Sequence, residues 1–473
     1  MSLKAREDIA ARRVEGIRPG GISSMSARGS GAARPEPARA ALGFDMWLFG
    51  AVVILSALGL VMVYSASAVY GIDRFGSDTH FALRQLIYLG AGLIALFFIQ
   101  RADYSWLRKA ARPLLIVSLI LLVAVLLPGL GVKVGGAQRW FRLGPLSLQP
   151  SEFAKVALVL YLATLMADRE RRVRSLWNGF AAPLLVVGLV TGLTLLQPDL
   201  GTAMLLGISA LLMLFIAGTR LTYILLAGMV TAPMAWFAVV GTPWRMKRLM
   251  AFFDPEAHRD GAGYQVWEAL LTLGSGGISG VGLGEGQQKL FYLPEAHTDF
   301  ILPIVGQELG FVGVSAVLVL FGVILWRGSR VALASEDRFG TYLAIGFTGM
   351  LALQACLNMA VVVGVVPTKG ITLPFVSYGG SSLVTSFLMV GVVLAVARGH
   401  RAFVASPEPR AAWGMRRLIG GRPAAPALQV TGPMERVRIS SGGVWRAFQS
   451  RPSQTCGQVR TGASLSHARG EAP

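Results

Sequence analysis

Three ionisable side chains lie close together in the segment FYLPEAHTDFILPIVGQELGFVG, residues 291–313: Glu295, His297 and Asp299. The apolar residues from Ile301 onward predict a membrane-spanning helix, which places Asp299 at the membrane–water boundary. A carboxylate there is partly desolvated, and desolvation raises its pKa toward the range that suits a general base. The alternative interpretation is that the three side chains only cap or anchor the start of the span.

Cationic side chains are frequent in polar segments between the apolar runs, at Lys133, Arg139, Arg142, Arg245, Lys247, Arg248, Lys289 and Lys369. Lysine and arginine both bind phosphate, and arginine does so with a bidentate fork. A carboxylate beside such cations suggests sugar transfer from a lipid-linked phosphate donor, with the carboxylate removing a proton from a sugar hydroxyl. The cations, or a bound divalent metal ion, would stabilise the departing diphosphate. The alternative is that they bind anionic lipid headgroups.

Several other polar residues have two interpretations each. Arg139 and Trp140 would combine a phosphate clamp with an aromatic side chain, although tryptophan at a membrane boundary is often only an anchor. Glu152 and Lys155 are three residues apart in a predicted helix, so they either pair with each other or contact the substrate. Asp199 follows a proline and either caps the next helix or takes part in catalysis.

Glu308 lies about seven residues into its predicted span, roughly 10 Å from the boundary. A carboxylate at that depth must face the protein interior or water. Gly306 and Gly310 are four residues apart on the same helix, a spacing that lets another helix approach closely.

The chain has 473 residues, of which 53% are hydrophobic and 15% are charged. Long, nearly uncharged runs recur along it, a pattern typical of a polytopic membrane protein. We therefore predict an all-α membrane protein with about ten transmembrane helices. The predicted spans are 46–64, 81–99, 113–127, 150–166, 183–196, 202–217, 221–240, 301–326, 342–364 and 383–396.

Lysine and arginine residues are concentrated in the two tails and in alternate loops, as the positive-inside rule expects. With an even number of spans, this bias places both termini in the cytoplasm. The most unusual polar segments then share the opposite side, so we predict an extracytoplasmic site. These outer segments are 128–149, 197–202, 365–380 and the large loop 241–300, in which a short amphipathic helix is predicted around Gln265–Leu273.

The net charge of +19 reflects this topology, and nucleic acid is not predicted as a partner. Residues 1–44 and 399–473 predict disordered basic cytoplasmic tails, since they are rich in Arg, Pro and Gly and have no apolar period. The membrane domain is predicted over 45–398. Cys356 lies in an apolar run and Cys456 in the second tail, so no disulfide is predicted.

Six segments have distinctive sequence motifs, and these motifs occur in a distinctive order. They are GLVMVYSAS (59–67), GAQRWFRLGPLSLQPSEFAKVAL (136–158), LLQPDLGTAMLL (195–206), WRMKRLMAFFDP (244–255), GYQVWEALLTLGSGGISGVGLGEGQQKLFYLPEAHTDFI (263–301) and VVPTKGITLPFVSYGGSSL (365–383). Together they resemble the SEDS proteins, the bacterial cell-wall polymerases of shape, elongation, division and sporulation. The resemblance covers about residues 46–398. The motif VPTKG (366–370) resembles the corresponding motif of the division branch of this family, with the elongation branch as the alternative.

The resemblance implies a ten-helix SEDS fold in the bacterial cytoplasmic membrane, at the division septum. It implies a peptidoglycan glycosyltransferase that polymerises lipid II, the undecaprenyl-diphosphate-linked disaccharide peptide, with Asp299 as the essential acidic residue. The implied partners are a class B penicillin-binding protein and other divisome proteins, with Gly306 and Gly310 contacting the partner's single helix. The candidate substrate-binding residues are Arg139, Trp140, Glu152, Lys155, Asp199, Lys289, His297, Lys369 and Ser377.

Three questions stay open at the level of sequence. Asp299 would act either as a general base or as a ligand of a divalent cation such as Mg²⁺ or Mn²⁺. A lipid II flippase is a rival function, although transport favours polar groups near the bilayer midplane, whereas these crowd one face. A non-catalytic scaffold of the divisome is the second rival, and the intact sequence His297-Thr298-Asp299 argues against it.

Overall fold

The computed structural model describes residues 44–134, 136–144, 146–168, 175–288 and 292–405. The two predicted tails lie almost entirely outside these residues, and so does Lys289. The described residues form twelve α-helices, one π-helical turn at Leu176–Ala181 and three short strands. The helix Gly380–Ala405 continues past the predicted end of the membrane domain at residue 398.

The helices in chain order are α1 (Met46–Phe75), α2 (His80–Ile99), α3 (Ser105–Ala124), α4 (Pro150–Asp168), α5 (Ala182–Leu196), α6 (Leu200–Ile216), α7 (Leu221–Val240), α8 (Pro243–Phe253), α9 (Tyr264–Ser275), α10 (Ile301–Ala334), α11 (Arg338–Val362) and α12 (Gly380–Ala405). Each of the ten predicted spans falls on one of them. The predicted amphipathic helix is α9, whereas α8 was not predicted.

Seven helical segments of the described chain are long and apolar enough to cross a membrane. They are α1, α2, α4, α10 and α11, most of α12, and α5 together with the end of the π-helical turn. Helices α6 and α7 contain shorter apolar stretches. Helix α3 begins at Ser105, ahead of the predicted span, and its first half carries Arg108, Lys109 and Arg112. A polytopic helical protein is therefore confirmed, and ten crossings remain a prediction.

Strands occur where the sequence predicted only a polar segment. They are β1 (Val132–Val134), β2 (Ala137–Leu143) and β3 (Leu146–Leu148), arranged antiparallel in the order β1-β2-β3. Arg142 pairs with Ser147 across β2 and β3, and Lys133 with Gln138 across β1 and β2. This small sheet leads directly into α4, so it fixes where Arg139 stands relative to the membrane helices.

Helices α4 and α12 form the buried centre of the helical bundle. Helix α12 packs against α2, and α4 packs against α3 and α11. The approach of α12 to α2 is close at Gly391, where an added Cβ would collide with Ile99. Small residues permit such backbone proximity in membranes, where packing rather than water exclusion holds helices together. The central pair thus gives a rigid base to the loops at its ends.

Helix α10 is interrupted at Gly310, which has φ 68° and ψ −164°. The amides of Phe311 and Val312 donate to the carbonyls of Gly277 and Ile278 at 2.9 and 3.2 Å, instead of to their own helix. In return the amides of Val281 and Gly282 donate to the carbonyls of Gln307 and Glu308 at 2.9 and 3.1 Å. The outer loop thereby replaces the missing helical hydrogen bonds, as backbone at membrane depth requires.

The space beside Gly306 and Gly310 of α10 is therefore filled by other parts of the same chain. A Cβ at Gly310 would collide with Ile278, and one at Gly306 with Leu273 of α9. The prediction that a partner helix makes the close contact at these two glycines is wrong. Glu308, two residues before Gly310, is 1% exposed and accepts hydrogen bonds from the Ser65 hydroxyl at 2.7 Å and the Gly284 amide at 3.0 Å.

The opposite end of the bundle is held by an ion pair. Arg327 Nη2 lies 2.8 Å from Asp45 Oδ2, and the Asp45 side chain is fully buried. Asp45 also caps α1 by accepting from the Leu48 amide at 3.0 Å. This pair joins the start of α1 to the last third of α10, far along the bundle from Asp299.

Reporter domains inserted at residues 254–263, between α8 and α9, are expected to read as extracytoplasmic. Fusions after Ala405 are expected to read as cytoplasmic, because Lys and Arg residues favour the cytoplasmic side. Paired phosphatase and fluorescent-protein reporters measure both. A fusion at Glu336, between α10 and α11, is the matched control and should agree with the one after Ala405. A cytoplasmic signal from 254–263 contradicts the placement of the site outside the cell.

Candidate functional site

Asp299 lies two residues before α10, on the loop that follows α9. The N-cap position of α10 is Phe300, which makes no side-chain capping hydrogen bond. Glu295 instead closes its own turn, accepting from the Thr298 hydroxyl at 2.7 Å. The Asp299 carboxylate is thus not consumed in capping the helix, and the capping interpretation does not describe it.

Charges from its own loop and from three other segments act on the half-buried Asp299. Burial is the main cause that raises the pKa of Asp299 to about 7, and the carboxylates of Glu295 and Asp199 raise it further. The guanidinium groups of Arg139 and Arg248 act in the opposite direction. A carboxyl with a pKa near neutrality has the property expected of a general base.

Two contacts fix the position of Asp299. Its backbone carbonyl accepts a hydrogen bond from the Asn358 side chain at 2.8 Å. Its carboxylate lies beside Gly370, where an added Cβ would come within 3.1 Å of Asp299 Oδ2. The loop 365–379, which precedes α12, therefore forms one wall of the site, and that wall has no side chain at Gly370.

Arg139 projects from β2 to the turn between α5 and α6. Its Nε donates to the Gln197 carbonyl at 2.8 Å and its Nη2 to the Pro198 carbonyl at 2.6 Å. The guanidinium fork thus holds the turn that carries Asp199, and its charge also reaches Asp299. A lysine has no fork, so its single nitrogen cannot reproduce the geometry of these two contacts.

Asp199 caps α6, as the sequence suggested, by accepting from the Thr202 amide at 3.1 Å. Its second carboxylate oxygen accepts from the Gln149 side chain at 3.3 Å. Asp199 is 3% exposed, and burial raises its pKa, while Arg139 opposes that effect. Its structural role as a cap coexists with its electrostatic effect on Asp299.

Further cations line the outer side of this region. Helix α8 stacks Arg245 and Arg248 against the Trp244 ring, each guanidinium carbon 5.3 Å from the ring centre. The Lys369 ammonium contacts the Met204 sulfur of α6. Burial, aided by the charge of Arg245, lowers the pKa of Lys369 to about 8. The charges of Arg139 and Arg248 thus act on the Asp299 carboxylate, and Lys369 precedes Gly370, the residue that lies against it. Cations gathered near one carboxylate suit a polyanionic phosphate group.

Glu152 and Lys155 form a buried ion pair on α4, with Lys155 Nζ 2.7 Å from Glu152 Oε2. Lys155 also donates to the Gln354 side chain of α11 at 2.8 Å. The Thr385 hydroxyl of α12 donates to Glu152 at 3.0 Å. Both charges have protein partners, which favours the interpretation of an intrahelical pair that joins three central helices.

His297 lies in an aromatic cluster rather than against the acidic group. Its ring is 4.8 Å from the Phe81 ring centre and 5.7 Å from those of Tyr70 and Tyr378. Burial lowers the pKa of His297, so the ring is held neutral. Its backbone carbonyl accepts from the Tyr378 amide at 2.9 Å. His297 therefore ties the Asp299 loop to α1, α2 and the loop before α12.

Two candidate residues have structural partners away from the charged groups. Ser377 is 4% exposed, and its hydroxyl accepts from the Leu373 amide at 2.9 Å, closing a turn. Trp140 pairs with Val132 across β1 and β2. Since successive strand residues point to opposite faces, Trp140 faces away from Arg139. Lys289 lies outside the described residues.

Sequence reasoning missed three residues that shape the site and left a fourth out of the candidate substrate-binding residues. Gly370 contacts the carboxylate, while Asn358 and Gln354 reach the loop 365–379 from α11. Arg248 was noted as a cation but not placed in the site. A usable signal did exist, because Gln354 and Asn358 are uncharged polar residues four apart in an apolar helix, hence on one face.

No cluster of three or more His, Cys, Asp or Glu side chains suited to a metal ion occurs among the described residues. Both oxygens of Asp199 already accept hydrogen bonds. The Asp299 carboxylate accepts no hydrogen bond from the described residues, so it has the greater capacity for a cation. Mg²⁺ is commonly bound by one or two carboxylates together with substrate phosphates, so Asp299 fits such a cation only when the substrate completes its coordination.

Comparison with known proteins identifies the family. Residues 46–402 match the family FtsW, RodA and SpoVE, described as cell cycle protein. The chain belongs to this family. Two FtsW relatives are each named as a probable peptidoglycan glycosyltransferase. The FtsW of Trichlorobacter lovleyi is 48% identical over 75% of this chain and 93% of its own length. That of Geobacter sp. strain M18 is 45% identical over 76% and 98%.

A solved structure supports the same fold for this FtsW, RodA and SpoVE family member. A chain of a peptidoglycan synthase complex, described as coordinating polymerization and crosslinking, matches with a TM-score of 0.63 and 34% identity. The match covers 76% of this chain and 98% of that one. The SEDS membrane fold expected from the sequence is therefore confirmed for this chain.

Proposed function

We propose that this protein is a peptidoglycan glycosyltransferase that polymerises lipid II into glycan strands at the outer face of the bacterial cytoplasmic membrane. The main support for this proposal is the half-buried carboxylate of Asp299, which has a pKa of about 7. This carboxylate does not cap α10, and the charges of Arg139 and Arg248 act on it. The names of the FtsW relatives support the same activity.

In the proposed reaction Asp299 takes the proton from an acceptor sugar hydroxyl. The hydroxyl oxygen then forms a bond to the anomeric carbon of the donor sugar, and the bond from that carbon to the diphosphate oxygen breaks. The lipid diphosphate leaves with its negative charge, which Arg139, Arg248 and Lys369 stabilise. Since burial lowers the pKa of Lys369 to about 8, most of this ammonium remains charged at neutral pH.

A divalent cation is a second proposed aid to the leaving group. Mg²⁺ or Mn²⁺ would be held by Asp299 and by the phosphates of the substrate, and would supply Lewis-acid stabilisation of the diphosphate. In that case the proton acceptor is a separate group. Activity that survives chelation of divalent cations would favour the role of general base.

The proposed partner is a class B penicillin-binding protein that crosslinks the glycan at the division septum, together with other divisome proteins. The structural neighbour that coordinates polymerization and crosslinking supports such pairing. The FtsW names of the relatives support division over elongation. With Gly306 and Gly310 occupied by the chain itself, the partner helix must dock elsewhere on the bundle.

The deciding experiment uses the full chain, purified with and without its partner and supplied with fluorescent lipid II in vesicles. A ladder of glycan strands is expected on a gel, and muramidase digestion should remove it. A folded, partner-bound protein that makes no glycan overturns the proposal. Movement of labelled lipid II across the bilayer without polymer would support the rival flippase function.

The rate of glycan synthesis is expected to rise as the pH rises through about 7, because only the deprotonated Asp299 accepts a proton. Arg248 lowers the pKa of Asp299, so Arg248→Met should move the midpoint of the pH–rate curve to higher pH. Initial rates across the pH range measure this. Lys247→Met on the same helix is the control and should leave the midpoint in place. An unchanged midpoint in Arg248→Met contradicts the assignment.

A further inference from the structure

Two side-chain amides project from the outer end of α11 toward the site. Gln354 and Asn358 are four residues apart, so they lie on one face of the helix, and each is 1% exposed. The Gln354 side chain donates to the Thr372 carbonyl at 2.9 Å, and Asn358 reaches the neighbouring Ile371 carbonyl at 2.7 Å. Helix α11 thus grips two consecutive residues of the loop 365–379.

Asn358 also joins this loop to the segment that carries the reactive carboxylate. The same Nδ2 atom that donates to Ile371 donates its second hydrogen to the Asp299 carbonyl at 2.8 Å. Asp299 and Ile371 are 72 residues apart in the sequence, and one nitrogen atom lies between their backbones. Few side chains offer two hydrogens on one compact nitrogen, and asparagine does so with a short stem.

We propose that Asn358 is a positioning residue that holds the backbones of Asp299 and Ile371 together and so places the Asp299 carboxylate against Gly370 for reaction. This proposal rests on the proposed glycosyltransferase function. The spacing it maintains is narrow, because an added Cβ at Gly370 would lie 3.1 Å from Asp299 Oδ2. A shift of either backbone would change where the carboxylate meets the acceptor hydroxyl.

The carbonyl oxygen of the Asn358 side chain also supports a positioning role for this residue. Asn358 Oδ1 is buried and has no hydrogen-bond partner among the described residues. A buried acceptor left without a partner destabilises the fold, so this residue is not optimal for stability alone. Both hydrogens of the amide are directed at the two segments that form the site.

Gln354 also connects the loop 365–379 to the buried ion pair of Glu152 and Lys155. Gln354 accepts from Lys155 at 2.8 Å while donating to Thr372. Asn358, one turn further out, holds the adjacent residue of the same loop. The loop 365–379 therefore has one tie to the central bundle at Thr372 and a second at Ile371, and the second tie is shared with Asp299.

The test is Asn358→Leu in the full chain, purified with its partner. Leucine nearly preserves the volume and suits a membrane helix, but it leaves both carbonyls without their donor. We expect kcat for lipid II polymerisation to fall about 10–100-fold with KM changed less than about twofold, since misplacement of a reacting group by about 1 Å costs on the order of 100-fold. Thr348→Ala removes a buried polar group from the opposite half of α11 and is the stability control, expected to retain kcat.

Asn358→Ser is the second variant, for the case in which the leucine variant does not fold. Its single hydroxyl is too short to reach both carbonyls, so the same fall in kcat is expected. A wild-type kcat in either folded variant overturns the positioning role, and so does an equal loss in Thr348→Ala. These outcomes differ from failure of the proposed function, in which the wild-type protein itself makes no glycan.

Discussion

Asp299→Asn is expected to lower the rate of glycan synthesis by roughly 10²–10⁴-fold, the usual loss when a general base is removed. The change keeps the shape of the side chain, and the Asn358 hydrogen bond is to the backbone of residue 299, so the fold should persist. The rate is measured with labelled lipid II, and folding and partner binding by thermal melting and co-purification. A well-folded, partner-bound variant that polymerises at the wild-type rate contradicts the catalytic assignment.

Two companion variants make this result specific. Asp260→Asn applies the same substitution to an exposed carboxylate of the same outer loop and should retain activity. Asp299→Glu keeps the charge but moves it outward by about 1 Å, toward the wall formed by Gly370, and should recover little of the rate. Full activity in Asp299→Glu would mean that the carboxylate needs no fixed position.

Lys155→Met is expected to reduce the free energy of unfolding by about 3–5 kcal/mol, because it leaves the Glu152 charge buried without its partner. Adding Glu152→Gln should restore most of that stability, since a neutral pair can replace a buried ion pair at little cost. Denaturation in a constant detergent, monitored by circular dichroism, compares the three proteins. Equal instability of the single and double variants contradicts the assignment of a structural pair.

The exposed pair between Arg108 of α3 and Asp168 of α4 provides the control. Its side chains are 46% and 39% exposed, so Arg108→Met should change the stability by no more than about 1 kcal/mol. If the double variant of Glu152 and Lys155 is stable yet inactive, the pair also contacts the substrate. The measurement of activity alongside stability thus decides between the two interpretations that the sequence left open.

The helical segments could be predicted because a bilayer constrains a chain strongly. Every backbone group must find a partner within the membrane, so a long apolar run has few options other than a helix. Helix α8 follows a different rule: PWRMKRLMAFF is basic and amphipathic, and its length is below that of a span. The strands β1–β3 were also missed, since short polar strands carry little periodicity.

The site was predicted in part for a related reason. Asp299, Arg139 and Asp199 stood out as charged residues next to apolar runs. The contact at Gly310 could not be predicted, because it depends on where the loop 276–286 lies in the folded chain. The spacing of the glycines in the sequence does not show the position of that loop. Gln354 and Asn358 were visible as polar residues in a span, but their partners lie 13 to 199 residues away in the sequence, and only the folded chain brings them together.

The interruption at Gly310 has a mechanical consequence. A continuous helix is a stiff rod because each turn is bonded to the next, and at Phe311 and Val312 those bonds go to the loop instead. Helix α10 is thus two rods meeting at a joint. Both rods are hydrogen-bonded to the loop 276–286 at the joint. The outer rod follows Asp299 directly, and the inner rod is fastened to Asp45 through Arg327. A displacement of the outer loop would therefore reach Asp299 first, while the half of α10 that carries Arg327 is held at its far end.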